Sequence, residues 1–497
     1  MQMDNCILNF DIFELIMVHA TRDTVSKIMR TCHLLTRESG RHLLGEDGAV
    51  ELHTENDAQS FLSFFLARGD EETRMSRMKC VRSLTLSFGP APLLQQTIIP
   101  AALFNGLARL AFNFVHLEIN DAEAFFSLDP TLRLARTVAS VRTLQKLVIR
   151  NGGRRTVWVL GQLQSRLHDV GIYVDLPALE ADLRALSPGA RNLSWLLARS
   201  ALQLQTLNLQ APLSFSTTGQ RFPVLSELTL SKVDPPAEID YYDAFPQLAF
   251  LHVFDLIPQM VFTPQALRDQ HRQRSSLLQQ HHARKPIREV SGPLPDVYML
   301  GLKCRTEIFR TWEDLDGDGW NDDMEDMLHA VLMDTRPLTL ELMINDAALF
   351  IGEDFRELCL LEPMQHLESF HLNVEPTNCR YRRLDMSLVL ESICEGIRTI
   401  RSLRNFKLYI CLLGVFPGKR SDDHDDPGRW DDDEFDELMS DYGHQVPPRE
   451  SLPLWDFFER WDPNTLAHRL RPMESLQTVH IEVVGGARSR DINVCIS

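Results

Sequence analysis

Leu204-Gln205-Thr206-Leu207-Asn208-Leu209 is followed after 21 residues by Leu225-Ser226-Glu227-Leu228-Thr229-Leu230, and after a further 23 by Leu248-Ala249-Phe250-Leu251-His252-Val253. Each hexad is apolar at its first, fourth and sixth positions. Its last four residues alternate, as a strand buried on one face must. The pattern recurs upstream over 81–86, 114–119, 144–149 and 167–172, and downstream over 297–302, 367–372, 403–408 and 476–481. Leu338-Thr339-Leu340-Glu341-Leu342 keeps only the alternation. Spacings between starts are irregular, the longest being 49 residues (248 to 297) and 73 residues (403 to 476).

Between the hexads lie stretches of helical period, such as Met386, Val389, Ile393, Ile397 and Ile400, or Met324, Met327, Leu328 and Val331. A short strand followed by a helix, many times over, predicts an α/β fold with parallel strands and helices covering the outside. It resembles the leucine-rich repeat, in the divergent form found in fungal F-box-like proteins. The Asn or Cys that usually ends that motif is missing from most copies. The alternative, an ordinary α/β domain, would need eleven such hexads to coincide over some 400 residues.

The chain has 497 residues, 44% hydrophobic and 24% charged, which excludes a disordered polymer. Its formal charge of −18 is localised. Residues 313–326 hold eight acids and no base, residues 422–441 hold eleven acids and one Arg, and the remainder carries 50 of each sign. A neutral body of this kind argues against nucleic acid and membrane partners held by bulk charge. The nine cysteines are scattered, with no C-x-x-C pair, which predicts free thiols in a reducing compartment rather than disulfides or zinc. No apolar run reaches the eighteen residues of a membrane span, and MQMDNCILNFD lacks a signal-peptide layout. The expected location is cytoplasmic or nuclear, and the sequon at Asn192-Leu193-Ser194 is expected to carry no glycan.

A different piece precedes the repeats. Asp11 reads as a cap for an amphipathic helix running through Ile12, Phe13, Leu15 and Ile16, and Val25, Ile28, Met29 and Cys32 predict a second helix. A helical pair of about 40 residues must bury its apolar face on something, either the first repeat or another protein. The arrangement resembles an F-box, the helical motif that docks onto the Skp-type adaptor of cullin–RING ubiquitin ligases. Leu8, Asp11, Ile12, Leu15 and Ile16 match its first part, and Val25, Ile28 and Cys32 its second. Asn9 replaces the usual Pro, and no Trp follows Cys32.

The resemblance implies a short helical F-box-like motif over 7–50 and an irregular repeat solenoid over 51–497, with acidic inserts near 313–326 and 419–450. It implies adaptor contacts from Leu8, Phe10, Ile12, Phe13, Leu15, Ile16, Val25, Ile28, Met29 and Cys32. Target selection would fall to the variable strand positions, among them Thr85, His116, Asn208, Thr229, His252, His371 and Lys407, with Arg82, Glu118, Gln205 and Ser226 beside them.

The first acidic insert fits the D-x-D-x-D-G-x5-E calcium-loop pattern, with Asp314, Asp316, Asp318, the Trp320 carbonyl, Asp322 and Glu325 as ligands. Asn321 stands where paired calcium loops keep an aliphatic residue, and no second loop accompanies it, so a solvated loop is the competing reading. The second insert has no metal-ligand spacing and reads as a disordered excursion. The basic stretch Arg268, His271, Arg272, Arg274, His281, His282, Arg284, Lys285 and Arg288 reads as an exposed polar helix and loop. No P-loop, dinucleotide, nucleophile-elbow or H-E-x-x-H motif is present, so no enzymatic activity and no cofactor beyond calcium is expected. The resulting expectation is a ligase substrate receptor binding a Skp-type adaptor and a target protein. A calcium-binding interaction protein and a plain scaffold are the alternatives.

Overall fold

A computed structural model describes residues 10–29, 40–44, 48–66, 71–88, 104–108, 113–214, 220–233, 240–256, 265–279, 285–312, 322–344, 347–350, 353–374, 386–411, 457, 461–484 and 490–495. The chain divides into two compact units, Met1–Pro258 and Gln259–Ser497. Both have the leucine-rich-repeat-like α/β plan, and among the described residues fourteen strands run parallel.

In the first unit β1 (Ala49–Leu52), β2 (Ser83–Leu86), β3 (His116–Ile119), β4 (Lys146–Arg150), β5 (Asp169–Tyr173), β6 (Thr206–Gln210), β7 (Glu227–Ser231) and β8 (Phe250–Phe254) pair in chain order. All three apolar positions of each hexad are buried. Leu204, Leu207 and Leu209 are typical, with the first residue anchoring the turn before the strand. Helices such as Arg154–Gln162 and Pro177–Arg184 return the chain between strands.

A backbone device sets the register. The carbonyl of Arg82 accepts from the N–H groups of Val115 and His116, Val115 from Gln145 and Lys146, and Gln145 from His168 and Asp169. His168, Gln205 and Ser226 continue the series. From Arg82 to Ser226, the second residue of each hexad therefore holds the second and third residues of the next. A one-residue slip would break each of these bonds and turn the apolar set outward.

Where the Asn of the standard motif is missing, a polar ladder stands at the strand ends. Asn120 donates to Ser87, and Asn151 Nδ2 donates to Asp121 Oδ1 at 2.9 Å. Asn151 Oδ1 accepts from the Asp175 N–H, and Gln210 donates to Asp175 at 2.9 Å. Glu123 then caps the next repeat's helix, accepting from the N–H groups of Gly153 (3.1 Å) and Arg155 (3.0 Å). A charged acceptor at a helix N-terminus satisfies orphan donors and meets the positive end of the dipole. Glu123→Ala is expected to cost about 1–2 kcal/mol in chemical denaturation, in the range of lost helix caps; an unchanged midpoint would contradict this role. Asn192 is buried, and its side chain caps Leu193–Leu196 by accepting from the Ser194 N–H at 3.0 Å.

In the second unit β9 (Ile287–Pro293), β10 (Thr306–Trp312), β11 (Thr339–Ile344), β12 (Ser369–Val374), β13 (Asn405–Cys411) and β14 (Thr478–Val484) are parallel, and β15 (Arg490–Cys495) runs antiparallel to β14. A file of rings links successive repeats: Phe350 to Phe355 (centroids 5.0 Å apart), Phe355 to Phe370 (6.4 Å), and Phe370 to Phe406 (6.1 Å).

Three expectations are corrected here. The hexad at 297–302 is not a strand; its residues belong to the helix Leu294–Leu300 and the turn after it. Pro295 and Asp296 suit a first helical turn, Gly301 ends the helix in the left-handed conformation (φ 55°), and Leu294, Val297 and Leu300 lie at helical spacing. The 49-residue gap instead contains β9, whose Gly292 and Pro293 hide the alternation. The basic stretch is not simply an exposed polar helix. On Gln265–Leu278 the Arg272 side chain, 13% exposed, donates to the carbonyls of Tyr298 and Ala330 (both 3.0 Å) and pairs with Asp334. Its guanidinium lies 4.4 Å from the centre of the Tyr298 ring. Also, Phe10 rather than Asp11 opens the first helix.

Candidate functional site

The first surface is the N-terminal helix Phe10–His19. Met17 is buried, and with Val25 it forms a small core onto which Phe13, Ala20, Ile28, Leu43 and Phe64 pack. Phe64 comes from the helix Glu55–Leu66, so the helical segment is anchored to the start of the repeats. On the other side Ile12 (44% exposed), Leu15 (61%) and Ile16 (42%) face water, with Val18 also exposed. The expected adaptor residues thus divide: Phe13, Val25 and Ile28 turn inward, and Ile12, Leu15 and Ile16 turn outward. Leu8, Cys32 and the side chains of Phe10 and Met29 lie outside the described residues. Three aliphatic side chains at i, i+3 and i+4 make a helical stripe of the kind that seats in a groove.

The second surface is the sheet face opposite the buried side chains. In the first unit Glu51, Thr85, Glu118, Val148, Gly171, Asn208, Thr229 and His252 share one line of register. The structure thus brings together Thr85, Asn208, Thr229 and His252 in one row. His116 lies in the adjacent row with Ser83, Lys146 and Asp169. Its Nδ1 is 2.8 Å from Ser83 Oγ, and burial, followed by the Lys146 ammonium, holds its imidazole below the usual value. Lys146 itself pairs with Asp169 at 2.9 Å. In a third row Arg150 stacks on the Tyr173 ring at 4.8 Å and pairs with Glu118 at 3.3 Å. A Cβ on Gly171 would come within 2.8 Å of that ring, so the tyrosine covers the space the glycine leaves.

In the second unit Arg310, Glu341, His371, Lys407 and His480 share a line across β10 to β14. Arg310 pairs with Glu289 (2.7 Å) and Glu341 (2.6 Å), and Glu341 also meets His371 Nδ1 at 3.1 Å. The bond to His371, with Arg310 behind it, holds the Glu341 carboxyl below the usual carboxylate range. The line therefore offers a fixed network of Arg310, Glu341 and His371 beside Lys407, suited to matching another surface.

Arg150, Tyr173, Arg310 and Glu289 were missed in the hexads. The first two sit just past or outside the six-residue window, and the last two belong to strands without its leucines. Glu341 was visible as the variable position of the imperfect copy at 338–342. Its true register starts at Pro337, because the Leu338 carbonyl accepts from Glu368 and Ser369 as the second residue of a hexad does.

Asp314, Asp316, Asp318 and Trp320 lie outside the described residues. Asp322 opens the helix Asp322–Thr335, and Glu325 is half-buried within it. Among the described residues no group of three or more His, Cys, Asp or Glu side chains is placed to hold a metal, and no helix is long and apolar enough to cross a membrane. Neither a model of a known protein family nor a curated protein sequence matches the chain.

Proposed function

We propose that the chain is a substrate receptor of a cullin–RING ubiquitin ligase. Its N-terminal helices would dock on the Skp-type adaptor, and the polar sheet rows would hold a target protein. The observation that carries the reading is the division of the first helix: Met17 and Phe13 anchor it to the repeats while Ile12, Leu15 and Ile16 stand exposed. A purely structural cap would bury that stripe, since each of these half-exposed aliphatics forgoes about 1 kcal/mol of burial. The strand rows support the second half of the proposal, because they offer paired charges and aromatics of the kind found at protein interfaces.

The test is capture of a purified Skp-type adaptor by the full chain. Wild type is expected to bind. Leu15→Asp combined with Ile16→Asp is expected to weaken binding by at least about 100-fold, as loss of central apolar anchors does. Both side chains are exposed, at 61% and 42%, so the circular dichroism spectrum should change little. Absence of capture by wild type, or equal capture by the double variant, would refute the adaptor-docking role.

A further inference from the structure

The equal numbers of bases and acids outside the two acidic segments conceal one strongly basic stretch in the Met1–Pro258 unit. Residues 131–205 hold eleven Lys and Arg against four Asp and Glu, a net of +7. The fold sorts these charges. The segments that lead from each helix into the next strand stack along one edge of the sheet, held by bonds between successive repeats. Asn113 Nδ2 donates to the Lys79 carbonyl at 2.8 Å, Arg142 Nε to Gln164 Oε1 at 2.9 Å, and Arg199 Nη1 to the Leu163 carbonyl at 3.3 Å. Lys79 and Arg82 stand just before β2, Arg142 before β4, Arg166 before β5 and Arg199 before β6. All five are exposed, and none has a carboxylate partner among the described residues. The segments entering β2 to β6 (77–83, 113–116, 140–146, 163–169 and 197–206) contain one carboxylate, Asp169, and Lys146 pairs with it at 2.9 Å. The positive charge of this edge is therefore uncompensated.

A row of unpaired like charges works against folding through self-repulsion, and a polyanion laid across it removes that cost. Adjacent parallel strands lie about 4.8 Å apart, so the edge from β2 to β6 is a track about 19 Å long. Four of its five bases are arginines, whose planar forks match phosphate oxygens. The bonds made by Arg142 and Arg199 each use one of the five N–H donors of a guanidinium and leave the others to a ligand. At the β6 end Trp195 is 73% exposed, four residues before Arg199 and joined to it by the turn in which the Ala198 N–H donates to the Trp195 carbonyl. An exposed indole beside arginines is a platform for stacking an unpaired base. A duplex, whose base faces are covered, or a glutamate-rich peptide, which has no π-face, would leave that platform unused. We infer that this edge binds single-stranded nucleic acid, with Lys79, Arg82, Arg142, Arg166 and Arg199 along the phosphates and Trp195 stacked on a base. The attraction is local to one edge, so it needs no excess of positive charge over the whole chain. It goes beyond the receptor reading and does not depend on it.

Fluorescence anisotropy of the full chain, without adaptor, tests the inference with labelled twelve-nucleotide oligouridine and oligothymidine as probes. Saturable binding is expected at low salt, with log affinity falling against log salt at a slope of about −3, from about 0.7 per phosphate contact. Arg82→Gln combined with Arg166→Gln is expected to weaken binding at least about tenfold and to make the slope shallower by about 1.4. Trp195→Ala is expected to weaken it about fivefold or more at an unchanged slope, because stacking releases no counterions. These side chains are exposed, so the melting temperatures should match wild type and separate lost binding from lost folding. Arg184→Gln, at a base paired with Glu180 outside the entering segments, is the control and should change neither affinity nor slope. Tighter binding of the uridine strand would place the source in RNA, and tighter binding of the thymidine strand in DNA; either supports the site. No saturable change with either probe, binding untouched by the double variant, or displacement of the probes by an equal concentration of a twelve-residue oligoglutamate would overturn it, the last in favour of an acidic protein segment.

Discussion

Arg272→Met is expected to destabilise the Gln259–Ser497 unit by about 3 kcal/mol, the lower end of the cost of breaking a buried ion pair. The methionine keeps much of the apolar stem but removes the guanidinium that ties together three helices: Gln265–Leu278, Leu294–Leu300 and Asp322–Thr335. It leaves the carbonyls of Tyr298 and Ala330 without this donor and Asp334, whose side chain is only 13% exposed, with Lys303 as its remaining cation. That remaining partner is why the lower end applies. Chemical denaturation should show the loss, and hydrogen exchange should place it in residues 265–335. Asp334→Leu added to Arg272→Met should recover part of it, because the stranded carboxylate is then gone. A single variant as stable as wild type would mean that the contacts are individually replaceable.

Gly48→Ala is expected to have an effect of similar size on the Met1–Pro258 unit. Gly48 has φ 59°, and a Cβ there would lie 2.2 Å from the Cys80 carbonyl oxygen. The left-handed conformation costs an alanine about 1–2 kcal/mol, and relieving the backbone contact adds about 1–3 kcal/mol of overpacking. The glycine carbonyl accepts from the N–H groups of both Arg82 and Ser83, so any shift also loosens the pairing of β1 with β2. A fall of several degrees in melting temperature is the readout, and a midpoint equal to wild type would contradict it. Alanine placed at Gly189, where a Cβ would meet nothing within 4 Å, is the matched control.

These two positions also show how far the sequence could be read. Arg272 stands among bases and histidines, and its neighbours in sequence suggest a solvated helix. Its ion-pair partner lies 62 residues away, on a helix that a local reading cannot bring beside it. Gly48 falls just before Ala49-Val50-Glu51-Leu52, a four-residue strand too short to announce itself. The N-terminal stripe was more legible. Ile12, Leu15 and Ile16 stood out by helical spacing, yet the same spacing could not divide them from Phe13, which faces the other way onto Met17 and Val25.

The sequence by itself determined the repeating strand and its buried face. Alternation with period two sorts side chains to opposite sides of a strand, and the leading aliphatic of each hexad anchors the turn before it. It did not determine whether apolar residues three apart, as at Val297 and Leu300, formed a strand or a helix, since that spacing serves both. The tertiary structure decided this, together with the leucine-poor strands β9 and β10, the burial of Arg272, and the rows that set Thr85 in line with His252. Each depends on hydrogen bonds and packing between neighbouring repeats, whose energies reward residues distant in the chain and leave no periodic mark within it.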